Sequence, residues 1–328
     1  MPPSDPAIFA LNATREFGVR VASHLGTALA AHEEREFEDG EHKTRPLESV
    51  RDRDVYVIQS LYGDAAQSVN DKLIRFLFFL STLRDAGAAR VTAVVPYLAY
   101  ARKDARTQPR DPLTTRYVAQ LFESMAIERV VALDVHNVAA LHNAFRVRAE
   151  HLDTARVFAE ALAPRLTNED NVSVISPDPG GFKRADRLRR ALGHLLGREL
   201  PLAFMEKARA KGVLSTGQIV GEVGTAAIIV DDLISTGGTL AAAARACRAA
   251  GAQAVYALAT HGLFTGEAGR TLGDEAITQL YITDTVPPFR LAPAFVERRV
   301  TIVSVAGLIG EAIARLHRGG SLVELLEP

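Results

Sequence analysis

Short apolar runs recur along the chain at 8–11, 54–60, 91–96, 130–134, 172–176, 202–205, 226–230, 255–260, 277–283 and 300–305. Each is brief and bounded by turn residues, the pattern of a buried strand. Amphipathic stretches at 15–30, 70–86, 114–125, 154–162, 182–195, 238–250 and 308–316 separate many of them and read as helices. The helix at 70–86 has Asn70 or Asp71 near its start and Gly87 past its end. Alternation of this kind predicts an α/β fold with mainly parallel sheets and helices on both faces.

The pattern also repeats. Residues 83–95, Leu-Arg-Asp-Ala-Gly-Ala-Ala-Arg-Val-Thr-Ala-Val-Val, align without gaps to 247–259, Cys-Arg-Ala-Ala-Gly-Ala-Gln-Ala-Val-Tyr-Ala-Leu-Ala. Both segments read helix end, glycine cap, strand. The offset is 164 residues in a chain of 328, which predicts two similarly folded halves, 1–150 and 151–328, with a boundary near 148–153.

One stretch carries more chemistry than any other. The apolar run 226–230 leads to Asp231 and Asp232, expected at the strand's end, and then to Ser235, Thr236, Gly237, Gly238 and Thr239 before an alanine-rich helix. Glycines let backbone amides approach a ligand, hydroxyls add donors, and the helix presents its positive end, so the order builds an anion site. The carboxylates would repel a phosphate but suit vicinal hydroxyls, from which they accept charge-assisted hydrogen bonds. A ligand with a phosphate at one end and a diol at the other fits, and ribose 5-phosphate is such a molecule.

Composition narrows the setting. Hydrophobic residues are 48% and charged residues 23%, an ordinary globular profile, and a net charge of −1 gives no field favouring nucleic acid or an acidic membrane. The single cysteine, Cys247, excludes an intrachain disulfide framework and suits a reducing cytosol. The first six residues are polar and proline-rich with no apolar segment behind them, and the apolar cluster at 76–80 is too short to span a bilayer. The expectation is a cytoplasmic protein with neither nucleic acid nor membrane as partner.

Several loops are richer in polar groups than connection requires. Residues 33–42 hold Phe37, Asp39, Gly40 and Glu41, which by spacing alone read as a solvated hairpin turn. Arg102, Lys103 and Arg106 put three cations in five residues around Asp104, a polyphosphate site or a solvated loop. His136 follows Asp134-Val135 at a strand end, where α/β sheets gather ligands, and alone reads as a loop histidine. Asp178 and two glycines lie between a strand and the basic helix 183–190. Lys207, Arg209 and Lys211 precede Gly212, Gly217 and Gly221, a basic stretch that reads as a mobile lid or a polar hairpin.

In order, Phe-Glu-Asp-Gly-Glu at 37–41, Pro-Tyr-Leu-Ala-Tyr-Ala-Arg at 96–102, Asp-Val-His at 134–136, Ser-Pro-Asp-Pro-Gly-Gly at 176–181, Glu-Lys-Ala-Arg at 206–209, the 230–239 loop and Thr-His-Gly-Leu-Phe at 260–264 resemble the motifs of the ribose-phosphate diphosphokinase (phosphoribosyl diphosphate synthetase) family. The resemblance runs from about residue 8 to 317. It implies two tandem type I phosphoribosyltransferase-like domains and transfer of diphosphate from ATP to the anomeric hydroxyl of ribose 5-phosphate, releasing AMP. By resemblance Asp231, Asp232, Ser235, Thr236, Gly237, Gly238 and Thr239 hold the sugar phosphate. Arg102, Lys103, Asp104 and His136 meet ATP, and His136 and Asp178 hold Mg2+ directly or through water. Lys207 and Arg209 are the catalytic pair, neutralising charge on the transferring group. Phe37, Asp39 and Glu41 reach the adenine of a neighbouring subunit, which implies a homo-oligomer, a dimer or larger.

Three departures from the family stand out: Ser235 in place of a third Asp, Lys103 in place of Gln, and a divergent segment at 137–145. The alternatives are a phosphoribosyltransferase that consumes the product, which would account for only the second half, and a non-catalytic regulatory homologue. Retention of Lys207, Arg209, His136 and Asp178 argues against the second.

Overall fold

The computed structural model describes residues 5–206, 209–210, 213–214 and 218–326. Two compact units emerge, one running to Asp153 and taking in Ala306–Leu325, the other Thr154–Val305. Unit 1 contains strands β1 (Ala7–Ala10), β2 (His32–Glu36), β3 (His42–Pro46), β4 (Asp54–Ile58), β5 (Arg90–Val95), β6 (Arg129–Leu133) and β7 (Arg148–Leu152), with helices α1 (Arg15–His24), α2 (Val69–Asp85), α3 (Thr114–Ser124) and α4 (Val138–Ala144). Its parallel sheet has the order β1-β4-β5-β6-β7, while β2 and β3 form a separate antiparallel hairpin. Every residue of β4 is buried, as a strand covered on both faces requires. Helix α2 starts at a capping box between Ser68 and Asp71 and buries Leu73, Phe76, Leu77, Leu80 and Leu83 along one stripe.

The boundary between the units falls after Asp153, and residues 148–152 just before it form β7, the edge strand of this sheet. Arg-Ala-Glu-His-Leu has no apolar run because an edge strand needs none; its pairing with β6 is supported by Arg129 Nε donating to Glu150 Oε1 at 3.1 Å.

Unit 2 contains α5 (Ala155–Leu166), β8 (Val172–Ser176), α6 (Phe182–Leu196), β9 (Leu202–Glu206), the short β10 (Arg209–Ala210) and β11 (Val213–Leu214), β12 (Gln218–Val220), β13 (Ala226–Ile234), α7 (Gly238–Ala249), β14 (Ala254–Gly262), α8 (Ala268–Leu272), β15 (Gln279–Thr283), α9 (Pro293–Arg299) and β16 (Val300–Val303). The sheet order is β12-β9-β8-β13-β14-β15-β16, parallel except where β12 meets β9. Residues of β13 alternate between two cores. Ala227 and Ile229 join Leu240, Ala243, Ala244 and Cys247 of α7, while Ala226, Ile228 and Val230 join Phe158, Leu162, Leu188 and Leu192 of α5 and α6. The fold is thus α/β with mainly parallel sheets, as the alternation predicts.

Helix α10 (Ala306–Arg318) then returns to unit 1. It packs on α1 so closely that a Cβ on Gly310 would lie 2.9 Å from His24 Cβ. His317 Nδ1 lies 2.8 Å from Asp54 Oδ2, which also receives Arg90 Nη2 at 2.6 Å and Tyr56 OH at 3.1 Å. The sequence assigns this helix to the second half; its amphipathic pattern shows that it covers a core but not which one. No described helix is long and apolar enough to cross a membrane.

Close approach also fixes α1 on its strand, because a Cβ on Gly18 would lie 2.2 Å from Ala10 Cβ. Gly18→Val should therefore destabilise the protein by about 1–3 kcal/mol, the cost of overpacking a filled core. Urea unfolding should show a lower midpoint at unchanged slope, and an unaltered midpoint would refute the close packing.

Candidate active site

Strand β13 continues past its expected end at 230 to Ile234. Its pairing with β8 stops at Ile229↔Ile175, whereas its pairing with β14 runs on to Ile234↔Gly262. Asp231 and Asp232 therefore lie inside a strand rather than at its end, on a stretch with a partner on one side only. The sequence could not show this, since the length of the neighbouring strand decides it. A crevice at the carboxyl end of a parallel sheet is where such folds bind ligands.

The turn beyond is tightly specified. Leu263 N and Phe264 N donate to Ile234 O, Thr265 N donates to Ser235 O at 2.9 Å, and the Ser235 and Thr265 hydroxyls are 2.9 Å apart. Ser235 thus braces the turn. Gly237 has φ +80° and a Cβ there would meet Leu272 Cγ at 2.7 Å, so both conformation and space demand glycine. Its carbonyl accepts Ala241 N at 3.0 Å, and the start of α7 leaves Thr236, Gly238 and Thr239 exposed around the helix's unpaired amides.

Arg184 in the first turn of α6 faces both carboxylates, its Nη1 lying 3.8 Å from Asp231 Oδ1 and 3.6 Å from Asp232 Oδ1. The turn before α6 aims it: Asp178 Oδ1 accepts Gly181 N at 3.0 Å, and Ser176 Oγ donates to the Asp178 carbonyl at 2.6 Å. A Cβ on Gly181 would come within 2.7 Å of Ser176 Oγ. In the sequence Arg184 reads as one cation of a basic helix; its signal is a place six residues after Asp178, in the first helical turn beyond a strand end. Burial pushes the Asp231 carboxyl up to about 8, its hydrogen bond and charge repulsion with Asp232 add to this, and Arg184 opposes them.

Unit 1 holds the other candidates. Tyr100 has φ +64°, a conformation sparse for a residue with a Cβ. Its hydroxyl bonds Asn70 Oδ1, and its carbonyl accepts Thr114 Oγ1 at 3.2 Å and Thr115 Oγ1 at 3.1 Å. Arg102, two residues on, is exposed and makes no ion pair among the described residues. Lys103 instead pairs with Asp111, and Asp104 accepts Asn137 Nδ2 at 2.7 Å. Asn137 also caps α4, so the divergent segment ties the cation loop to the turn carrying the exposed His136.

Residues 37–41 form the tip of the β2–β3 hairpin, closed by Phe37 N donating to Glu41 O at 2.8 Å and by Glu41 N donating to Asp39 Oδ1 at 3.1 Å. Phe37 is 40% exposed beneath the Arg35 guanidinium. The hairpin is fastened to α2 by Arg75 Nη2 donating to Glu36 at 2.6 Å and by His42 stacking on Phe78. Lys207 lies outside the described residues, and Arg209 is described only as backbone in β10.

Unit 2 therefore brings together Asp178, Arg184, Asp231, Asp232 and the 235–239 cradle, while Arg102, Lys103, Asp104 and His136 belong to unit 1. Among the described residues no three His, Cys, Asp or Glu side chains are grouped to hold a metal ion.

A carboxyl raised above its unfolded value binds its proton more tightly when folded, so its contribution to stability declines as pH rises from about 4 to about 8. Asp231→Asn should raise the unfolding temperature of the ligand-free protein more at pH 8 than at pH 5. Each kcal/mol gained should appear as about 2–4 °C in calorimetry. An equal gain at both pH values would contradict the raised pKa.

Residues 6–126 match the N-terminal domain of ribose phosphate pyrophosphokinase, and residues 199–327 match the phosphoribosyl synthetase-associated domain. Ribose-phosphate pyrophosphokinase 1 of Listeria innocua is 35% identical, over 98% of this chain and 96% of its own. Ribose-phosphate pyrophosphokinase of Caldanaerobacter subterraneus subsp. tengcongensis is 38% identical, over 97% and 96%. The crystal structure of phosphoribosylpyrophosphate synthetase from Mycobacterium smegmatis superposes with a TM-score of 0.84 at 30% identity, covering 97% of this chain and all of that one. With relatives above 30% identity along nearly its whole length, the chain belongs to the ribose-phosphate pyrophosphokinase family.

Proposed function

We propose that the chain transfers diphosphate from ATP to the anomeric hydroxyl of ribose 5-phosphate, giving 5-phosphoribosyl 1-diphosphate and AMP. The observation that carries this reading is the open anion cradle at the start of α7 beside two carboxylates in a stretch of β13 that is paired on one side only. The 5-phosphate meets the amides and hydroxyls of residues 236–239, and Asp231 and Asp232 accept hydrogen bonds from the ribose diol. The anomeric oxygen attacks the β-phosphorus, the bond from that phosphorus to the α-phosphate oxygen breaks, AMP departs, and the hydroxyl proton passes to water. Arg102 meets the ATP phosphates from the turn at Tyr100, and Lys207 and Arg209 neutralise charge developing on the transferring group. Magnesium, when bound with ATP, spreads the charge of the polyphosphate, and His136 and Asp178 are the residues that would hold it.

The test is AMP release from ATP, ribose 5-phosphate and magnesium, which should depend on all three. Asp232→Asn should raise the KM for ribose 5-phosphate about tenfold, the worth of one charge-assisted hydrogen bond, with smaller effect on ATP. Lys207→Ala should lower kcat by about two to three orders of magnitude with little change in either KM. Normal turnover in that variant would remove Lys207 from the catalytic pair.

We read the protein as a cytoplasmic homo-oligomer with its adenine site shared. Helices α2 and α3 touch through Phe76 and Phe122 and expose Ile74, Phe78, Tyr117 and Leu121, an apolar surface suited to a second copy. The hairpin tip offers Phe37 as a stacking face and Asp39 and Glu41 as acceptors for an amino group. A variant with Asp39→Ala and Glu41→Ala, and a separate Lys207→Ala variant, should each be nearly inactive. Dissociated, mixed and reassembled, they should regain part of the activity; mixed oligomers that form and stay inactive would show that the tip serves its own chain.

A further inference from the structure

The 100–111 loop is built around a single carboxylate oxygen. Asp111 Oδ2 accepts Lys103 Nζ at 2.5 Å, Thr107 Oγ1 at 2.8 Å, and the amides of Thr107 and Gln108 at 3.0 Å each. Lys103 Nζ also donates to Thr107 Oγ1 at 3.0 Å, so ammonium, hydroxyl and carboxylate close a ring of hydrogen bonds. The Lys103 hydrogen bond, followed by those from Thr107 and Gln108, holds the Asp111 carboxyl well below the usual carboxylate range. On the other side of the loop, Thr115 Oγ1 bridges the carbonyls of Tyr100 and Lys103 at 3.1 and 3.3 Å. Tyr100 and Arg110, near the two ends of the loop, both have positive φ, at +64° and +69°. A backbone conformation this sparse persists only where its surroundings over-determine it, and such places cluster at ligand clamps. Arg102 stands within that frame and spends its guanidinium on no ion pair among the described residues.

These observations separate two cations that the sequence groups together. The ammonium of Lys103 is committed to Asp111, and turning it to a phosphate would break a charge-assisted pair and the hydrogen bond to Thr107 Oγ1. Arg102 has no such commitment and carries the planar fork that suits a phosphate. We propose that Lys103 and Asp111 are positioning residues for ATP: they pin the loop so that Arg102 is presented to the phosphates, and Lys103 itself does not touch the nucleotide. The proposal rests on the reading of Arg102 as an ATP-phosphate ligand.

Steady-state kinetics of Lys103→Ala, Asp111→Ala, the double variant and Arg102→Ala provide the test. Lys103→Ala and Asp111→Ala should each raise the KM for ATP by about tenfold, with kcat and the KM for ribose 5-phosphate within about twofold of the parent, since only the presentation of one phosphate ligand is lost. The double variant should be no worse than either single one, because both remove the same contact. Asp111→Asn keeps an acceptor for the Thr107 and Gln108 amides and should fall between parent and Asp111→Ala; it carries the same comparison should the alanine variant not fold. The proposal is overturned if Lys103→Ala is much the more damaging, or if Asp111→Ala tightens ATP binding, since either would mean that the ammonium binds phosphate directly. Arg102→Ala separates the two levels. A raised KM for ATP there with unaffected pin variants leaves the ligand reading standing and removes the pin. Unaltered ATP kinetics in Arg102→Ala remove both.

Discussion

Two adjacent carboxylates in a strand that has outrun its neighbour create an electrostatic problem, and much of unit 2 answers it. Asp232 is buried, Asp231 is pushed towards its neutral form by burial and by its neighbour, and the one cation facing both is Arg184 at 3.6 and 3.8 Å among the described residues. Arg184 can face them only because α6 begins where it does, and α6 begins there because Asp178 caps the turn and Gly181 lets Ser176 reach across it. A diol or a cation arriving at this place meets acceptors already oriented. Water would solvate such a pair more cheaply, so the arrangement costs the empty protein stability that a bound ligand returns.

Much of the fold is legible from periodicity because most strands are buried on both faces and so announce themselves as apolar runs. β8 and the starts of β13, α3, α6 and α7 fall where those runs predict. What escapes is whatever the rest of the molecule decides. β7 and the β2–β3 hairpin are strands by pairing rather than by composition, with Glu and Arg facing water along much of their length. The end of β13 depends on how far β14 runs beside it, and the sequence of β13 alone carries no record of that.

The candidate site divides along similar lines. Residues whose role is written in local chemistry, such as the glycine at 237 with φ +80° or the threonines around it, can be found from the string itself. Residues whose role depends on a partner distant in sequence cannot. Ser235 meets the Thr265 hydroxyl 30 residues on, and Arg184, one cation of a basic helix, faces the two carboxylates of β13. A charged side chain in a motif states what it can do, and only its neighbours state what it is left to do.

Helix α10 gives unit 1 a discontinuous chain, with Thr154–Val305 spliced between its two parts. His317 and Asp54 meet across 263 residues of sequence. During synthesis, the face of α1 around Gly18, Val21 and His24 leaves the ribosome long before the helix that covers it, and nearly all of unit 2 is made in between. Loop-closure entropy grows only slowly with such a separation, so the delay is kinetic rather than thermodynamic. For the interval in which α10 is still being made, the face of α1 that it covers stays exposed.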